Sequence, residues 1–275
     1  MRLAFIGFGE VGQRFGGQLA RQPGTSVAAW DIKFPDAVAG APLRAAAEAA
    51  GVRIARDAAD AIDGAGIVVS AVTAMAAAEV AETAVGLVSA DQIFVDINSI
   101  SPATKARLSA LYLSRGRHYV EGAVMAPVAE PGIAAAVLTG GERAADVAER
   151  LNPLGFRITP VTTIVGRAAA TKLCRSIMIK GLEALIIRAS TAARAWDVEA
   201  DVYRSLAETF PSIDWPQLAE TMSARVRRHG VRRAAEMREC GEMLDELAGT
   251  PGTVRAGDIA RAIADVHESH ARTSV

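Results

Sequence analysis

The 275-residue sequence predicts a doubly wound α/β domain followed by an all-helical domain. Three observations carry that expectation. Short apolar runs alternate with alanine-rich helical stretches from Arg2 to about Phe156, a glycine-rich turn directly follows the first run, and strand signals cease after Thr162. A chain of this length can bury two cores, because domains commonly hold roughly 100–200 residues.

Leu3 to Ile6, Ser26 to Trp30, Ile67 to Val72, Ile93 to Ile97 and Ala135 to Leu138 read as strands. They lack polar alternation, as strands of a parallel sheet covered on both faces should. Val11 to Arg21, Leu43 to Ala50, Ala74 to Val88 and Ala103 to Ser114 carry helical periodicity, and Ser101-Pro102 supplies an N-cap serine and a first-turn proline for the last of them. Strand–helix alternation of this kind builds a doubly wound sheet. Gly166 to Arg194 then forms one long helical pattern, followed by shorter ones separated by breakers at Pro211, Pro216, Gly230 and Pro251-Gly252. The expected domains are 1–162 and 163–275.

Composition narrows the function. Thirty basic and 31 acidic residues leave a formal net charge of −1, so no general attraction to nucleic acid is expected. No apolar run approaches the ~20 residues a membrane span requires, and with no basic-then-apolar stretch visible around Arg2 to Gly7, no signal peptide is expected. Cys174 and Cys240 are too few for a disulfide framework or a zinc cluster, which fits a cytoplasmic protein. His118, His229, His267 and His270 form no metal or triad pattern, and no metal is expected. The basic run Arg225, Arg227, Arg228, His229, Arg232 and Arg233 reads either as an anion-binding face or as solvated helix surface.

Gly7-Phe8-Gly9-Glu10-Val11-Gly12 leaves a strand and opens a helix. In that setting the first glycine permits a tight turn, the second lets backbone approach a pyrophosphate, and the third lets helix pack on strand. The helix start adds free N–H groups and a positive dipole end. Asp31 ends the second strand, where a carboxylate accepts hydrogen bonds from ribose hydroxyls and favours NAD, while Lys33 would instead pair with the 2′-phosphate of NADP.

These residues, with three further segments in order, resemble the β-hydroxyacid dehydrogenases, a Rossmann-type family that includes 3-hydroxyisobutyrate and 6-phosphogluconate dehydrogenases. The segments are Asp96-Ile97-Asn98-Ser99-Ile100-Ser101-Pro102, Glu121-Gly122-Ala123-Val124-Met125-Ala126-Pro127, and Gly166-Arg167-Ala168-Ala169-Ala170-Thr171-Lys172. The resemblance covers nearly the whole chain, with a C-terminal part like that of a less characterised subgroup. It implies an NAD(P)-dependent oxidoreductase acting on a small, anionic β-hydroxy acid or its keto acid, with Lys172 as general acid/base. It also implies a homodimer through the helical domain. Two departures alter the substrate end. Met125, Ala126 and Pro127 stand where the family places a serine and two glycines that hold a carboxylate, and Ser176 stands where it places an asparagine.

Lys172, Arg175, Ser176, Lys180 and Glu183 recur at three- and four-residue spacing and form one polar stripe on the long helix. Lys172 and Ser176 are the expected catalytic pair, and Ser99, Met125, Arg175 and Lys180 the expected substrate contacts. Arg175 and Lys180 also offer like charge to lower the Lys172 pKa, while Arg175 can grip an anion through its planar fork. Thr73, Asn98 and Ser99 end apolar runs where the nicotinamide ribose should lie, since ligands sit beyond the carboxyl ends of parallel strands. Two other readings stay open. One is an imine reductase, favoured by the lost carboxylate cradle and opposed by Lys172. The other is a dinucleotide-binding sensor without turnover.

Overall fold

A computed structural model describes residues 1–248 and 256–272, so the expected break at Pro251-Gly252 lies outside the described residues. The chain divides into two compact units, Met1–Lys172 and Leu173–Val275.

The first unit runs β1 (Arg2–Ile6), α1 (Glu10–Ala20), β2 (Ser26–Trp30), α2 (Ala41–Ala50), β3 (Arg53–Ile54), α3 (Ala58–Ile62), β4 (Ile67–Ser70), α4 (Ala74–Ala84), β5 (Ile93–Asp96) and α5 (Pro102–Ser114). It continues through β6 (His118–Val124), β7 (Ala136–Gly140), α6 (Ala144–Leu151) and β8 (Arg157–Thr162) to the first turns of α7 (Arg167–Ala195). The strands form one sheet in the order β3-β2-β1-β4-β5-β6-β7-β8. All neighbours are parallel except β6 and β7.

Successive residues of β1 serve opposite faces: Leu3 and Phe5 enter a core with Phe15, Leu19 and Val95, whereas Ala4 and Ile6 enter one with Phe94, Leu108 and Tyr112. Burial on both faces removes any need for polar alternation, which is why these runs read as uniformly apolar. The chain leaves β1 in one direction toward β2 and β3 and returns on the other side through β4. That reversal opens a crevice beyond the carboxyl ends of β1 and β4, the usual ligand position of such sheets.

Three strands escaped the sequence pattern. β3 has two residues, β6 carries the charged Glu121 in its middle, and β8 is an edge strand containing Pro160, a residue that edges tolerate because one N–H row is unpaired there.

The second unit holds most of α7, then α8 (Glu199–Thr209), α9 (Trp215–Ala248) and α10 (Asp258–Arg272). Gly230 does not break α9. A Cβ at Gly230 would collide with the backbone oxygen of His267, so the glycine permits close helix packing and is no terminator. Pro216 sits in the first turn of α9, where its missing N–H costs nothing.

Candidate functional site

The three glycines of the first βα turn differ in what demands them. Gly7 has φ +94°, and an added Cβ would strike the Ala71 carbonyl. A Cβ on Gly12 would strike the Gly7 carbonyl. Gly9 is different, since a Cβ there would meet no protein atom within 4 Å. The fold requires the outer two, and the open space at Gly9 fits the approach of a phosphate. Gly9 caps α1 without a side-chain acceptor, so the first-turn N–H groups of Glu10, Val11 and Gly12 receive none from the cap. A diphosphate would find that arrangement favourable. Phe8 is buried against Phe34, with ring centroids 5.8 Å apart, and this packing anchors the turn from below.

Asp31 closes the far side of the turn. Its Oδ2 accepts from the Phe8 N–H at 2.7 Å and its Oδ1 from the Lys33 N–H at 2.9 Å, so it ties the glycine turn to the end of β2. A carboxylate offers about four lone-pair sites, which leaves capacity for ribose hydroxyls. Lys33 is exposed beside it.

Beyond β4 and β5, the loops are held by a buried polar group. The Asn98 Oδ1 accepts from the Val72 N–H at 2.8 Å, and its Nδ2 donates to Ser70 Oγ at 2.9 Å and to Asp96 Oδ1 at 2.8 Å. Asp96, fully buried, also accepts from the Tyr119 hydroxyl at 2.6 Å and lies 3.5 Å from the Lys105 ammonium. Lys105 in turn donates to the Asp96 carbonyl at 2.8 Å. Burial, reinforced by the Asp96 charge, holds the Tyr119 phenol far above its ordinary pKa, so it remains a donor. Asn98 thereby fixes both loops, while Thr73 starts α4 as an exposed cap residue without a side-chain cap bond.

Ser99, half-buried on the β5–α5 loop, accepts a hydrogen bond from the Lys172 ammonium group. The tertiary structure thus joins two residues 73 positions apart that the sequence reading had placed in separate roles. Met125 is half-buried at the end of β6, where its N–H extends the ladder to the Ala136 carbonyl at 2.8 Å, and Ala126 and Pro127 follow it on the surface.

In the second unit the polar stripe of α7 faces inward. Ser176 Oγ donates to Glu236 Oε1 at 2.6 Å, and the Lys180 ammonium pairs with Glu236 Oε2 at 2.8 Å. Glu183 is fully buried and paired with Arg225 and Arg233, and the His267 imidazole approaches both Glu183 and the Lys180 carbonyl. Burial lowers the Lys180 pKa despite the attraction of Glu236, lowers that of His267 despite Glu183, and pushes the Cys240 thiol up to about 12. Two members of the basic run, Arg225 and Arg233, therefore serve as counter-ions of a buried carboxylate. Arg175 is exposed. The opposite side of α7 exposes Met178 at 73%, Leu185 at 70% and, beyond the helix, Trp196 at 81%.

Asp96, Lys105, Tyr119, Glu121 and Glu236 had no assigned role in the sequence reading. The signal for the first was present, since Asp96 is a charge ending the apolar run Ile93-Phe94-Val95, although such a charge is equally common as a turn residue.

Residues 2–166 match the family described as the NAD binding domain of 6-phosphogluconate dehydrogenase, and residues 193–270 match a domain of unknown function, DUF1932. A conserved hypothetical protein from Sinorhizobium meliloti is 36% identical, with a TM-score of 0.83 over 99% of this chain and 89% of that one. The conserved protein MTH1747, described as structurally similar to 3-hydroxyacid dehydrogenases, is 30% identical, with a TM-score of 0.77 over 99% of this chain and 98% of that one. The 3-hydroxyisobutyrate dehydrogenase of Mycobacterium tuberculosis, at 20% identity, shares the fold with a TM-score of 0.76 over 98% of this chain and 94% of that one. With its glycine turn, its strand order and its helical C-terminal region, the chain belongs to the β-hydroxyacid dehydrogenase family of NAD-binding proteins.

Proposed function

We propose that the protein is an oxidoreductase that moves a hydride between a nicotinamide dinucleotide and a small β-hydroxy acid or its keto acid, with Lys172 exchanging the hydroxyl proton. The observation that carries this reading is the hydrogen bond from Lys172 Nζ to Ser99 Oγ at the carboxyl end of β5. When bound, the nicotinamide supplies the hydride chemistry. The first-turn N–H groups at Glu10, Val11 and Gly12 hold the diphosphate, Asp31 takes the adenosine ribose hydroxyls, and Thr73 and the loop fixed by Asn98 border the nicotinamide ribose. Lys172 gives or takes the proton at the substrate hydroxyl, and Ser99 orients the amine. On α7 itself, exposed Arg175 is open to an anionic group, while Glu236, paired with Lys180, holds Ser176. Met125, in place of a carboxylate-holding residue, makes the substrate end more apolar. The exposed apolar side chains of α7 support a homodimer formed through the helical domain.

The test is nicotinamide absorbance with panels of hydroxy acids, keto acids and cyclic imines, alongside dinucleotide titration. Turnover of hydroxy or keto acids is expected. Turnover confined to imines would replace this reading with an imine reductase, and tight binding without turnover would make the protein a sensor.

Two variants examine the cofactor end. Gly9→Val should abolish dinucleotide binding and leave thermal unfolding nearly unchanged, because the protein itself leaves room for the side chain. An unaltered titration curve would remove the turn from the site. Asp31→Ser should erode a preference for NAD over NADP, since a carboxylate repels a 2′-phosphate. A wild-type protein strongly preferring NADP would overturn this assignment and point to Lys33.

A further inference from the structure

We infer that Glu121 is a positioning residue for Lys172, and that it works as one half of a carboxylate pair with Asp96. This rests on the reading of Lys172 as the proton-exchanging amine.

Gly166 immediately precedes α7, and its carbonyl accepts the first helical hydrogen bond, from Ala170 at 2.9 Å. It has φ +106°, and an added Cβ would lie 3.1 Å from the Pro102 carbonyl oxygen, so the position favours glycine. Glycine, however, has no side chain with which to cap the helix. Glu121, from the middle of β6 and fully buried, performs that task from another strand. Its Oε1 accepts from the N–H groups of Gly166 at 2.7 Å and Ala168 at 3.0 Å, and its Oε2 accepts from Ala169 at 3.1 Å. One carboxylate thus satisfies three backbone donors and sets a negative charge against the positive end of the helix. Lys172 follows Ala169 by less than one turn. The position and direction of its side chain are therefore set by where Glu121 holds the first turn.

Glu121 is the register partner of Asp96 on the neighbouring strand. Asp96 accepts from the Asn98 N–H at 2.9 Å and so holds the loop that carries Ser99, the residue that Lys172 reaches. The two members of the Lys172–Ser99 contact are each tied to one of two adjacent buried carboxylates. Space for the Glu121 group comes from Gly140 on β7, where a Cβ would lie 2.6 Å from Glu121 Oε1.

The test needs no substrate. Acetylation of each lysine in the full chain is followed by mass spectrometry across neutral and alkaline pH, with exposed Lys33 as internal reference. In Glu121→Gln the apparent pKa of Lys172 should fall by about 0.5 unit, because a negative charge is removed and the positive helix end is uncovered. Gly140→Ala keeps the charge but displaces it, and should also change the Lys172 profile while Lys33 remains unmoved. Should Glu121→Gln fail to fold, Gly140→Ala carries the test alone. If Lys172 profiles in the folded variants superimpose on wild type while melting temperature drops, Glu121 is a fold-stabilising cap with no hold on the amine. Failure of the catalytic reading would appear elsewhere, as undiminished turnover in a Lys172 variant.

Discussion

Replacing Lys172 with methionine is expected to lower turnover by about 10²- to 10⁴-fold, the usual contribution of a general acid or base, while dinucleotide affinity stays nearly constant. Methionine keeps an unbranched chain of similar length on α7, so the half-buried side chain loses its amine and its bond to Ser99 with little loss of packing. The separation of effects is informative, because the glycine turn and Asp31 lie on other elements of the first unit and should bind as before. Initial rates across pH with a confirmed substrate, paired with dinucleotide titration, check it. Full activity with an unchanged pH profile would remove Lys172 from the chemistry and direct attention to Lys180.

A second large effect is expected on stability, at the buried pair beneath the β5–α5 loop. Lys105 is 1% exposed and its partner Asp96 is fully buried. Removing one member of such a pair leaves the other as an uncompensated buried charge, which typically costs about 3–5 kcal/mol, whereas a surface pair contributes at most ~1 kcal/mol. Lys105→Met should therefore destabilise the first unit by the larger figure. Tyr119 and Asn98 would still donate to Asp96, yet neither carries charge. Urea denaturation of the full chain measures the loss, and adding Asp96→Asn to Lys105→Met should restore part of it, since the stranded charge is then gone. A cost below ~1 kcal/mol would mean that water reaches the pair.

Legibility in the sequence followed the range of the interactions. The long helix expected from Gly166 to Arg194 is found as Arg167–Ala195, because apolar spacing, a leading glycine and the absence of internal proline are all local properties. Ser101 caps α5 with its side chain accepting from the Thr104 N–H, as Ser101-Pro102 led one to expect. β6 and β8 were missed because Glu121 and Pro160 look unlike strand residues until their surroundings are known: a helix N-terminus for one, a sheet edge for the other. Likewise, periodicity groups Ser176, Lys180 and Glu183 of α7 in one polar stripe without showing what that stripe meets. It is inward because α9 and α10 supply Glu236, Arg233 and His267 as partners, which compensate the burial of charge.

By itself the sequence determined the order of domains, the glycine turn, the acidic end of β2 and the helix that bears Lys172, since each depends on neighbours within a few residues. Only the tertiary structure decided that Gly9 alone among the three glycines is spared by the fold, that Lys172 meets Ser99, and that Asp96 and Glu121 stand side by side beneath that contact. These facts depend on strand register and helix entry, through which residues dozens of positions apart come within hydrogen-bond reach. Periodicity along one segment carries no information about the partner that another segment will bring.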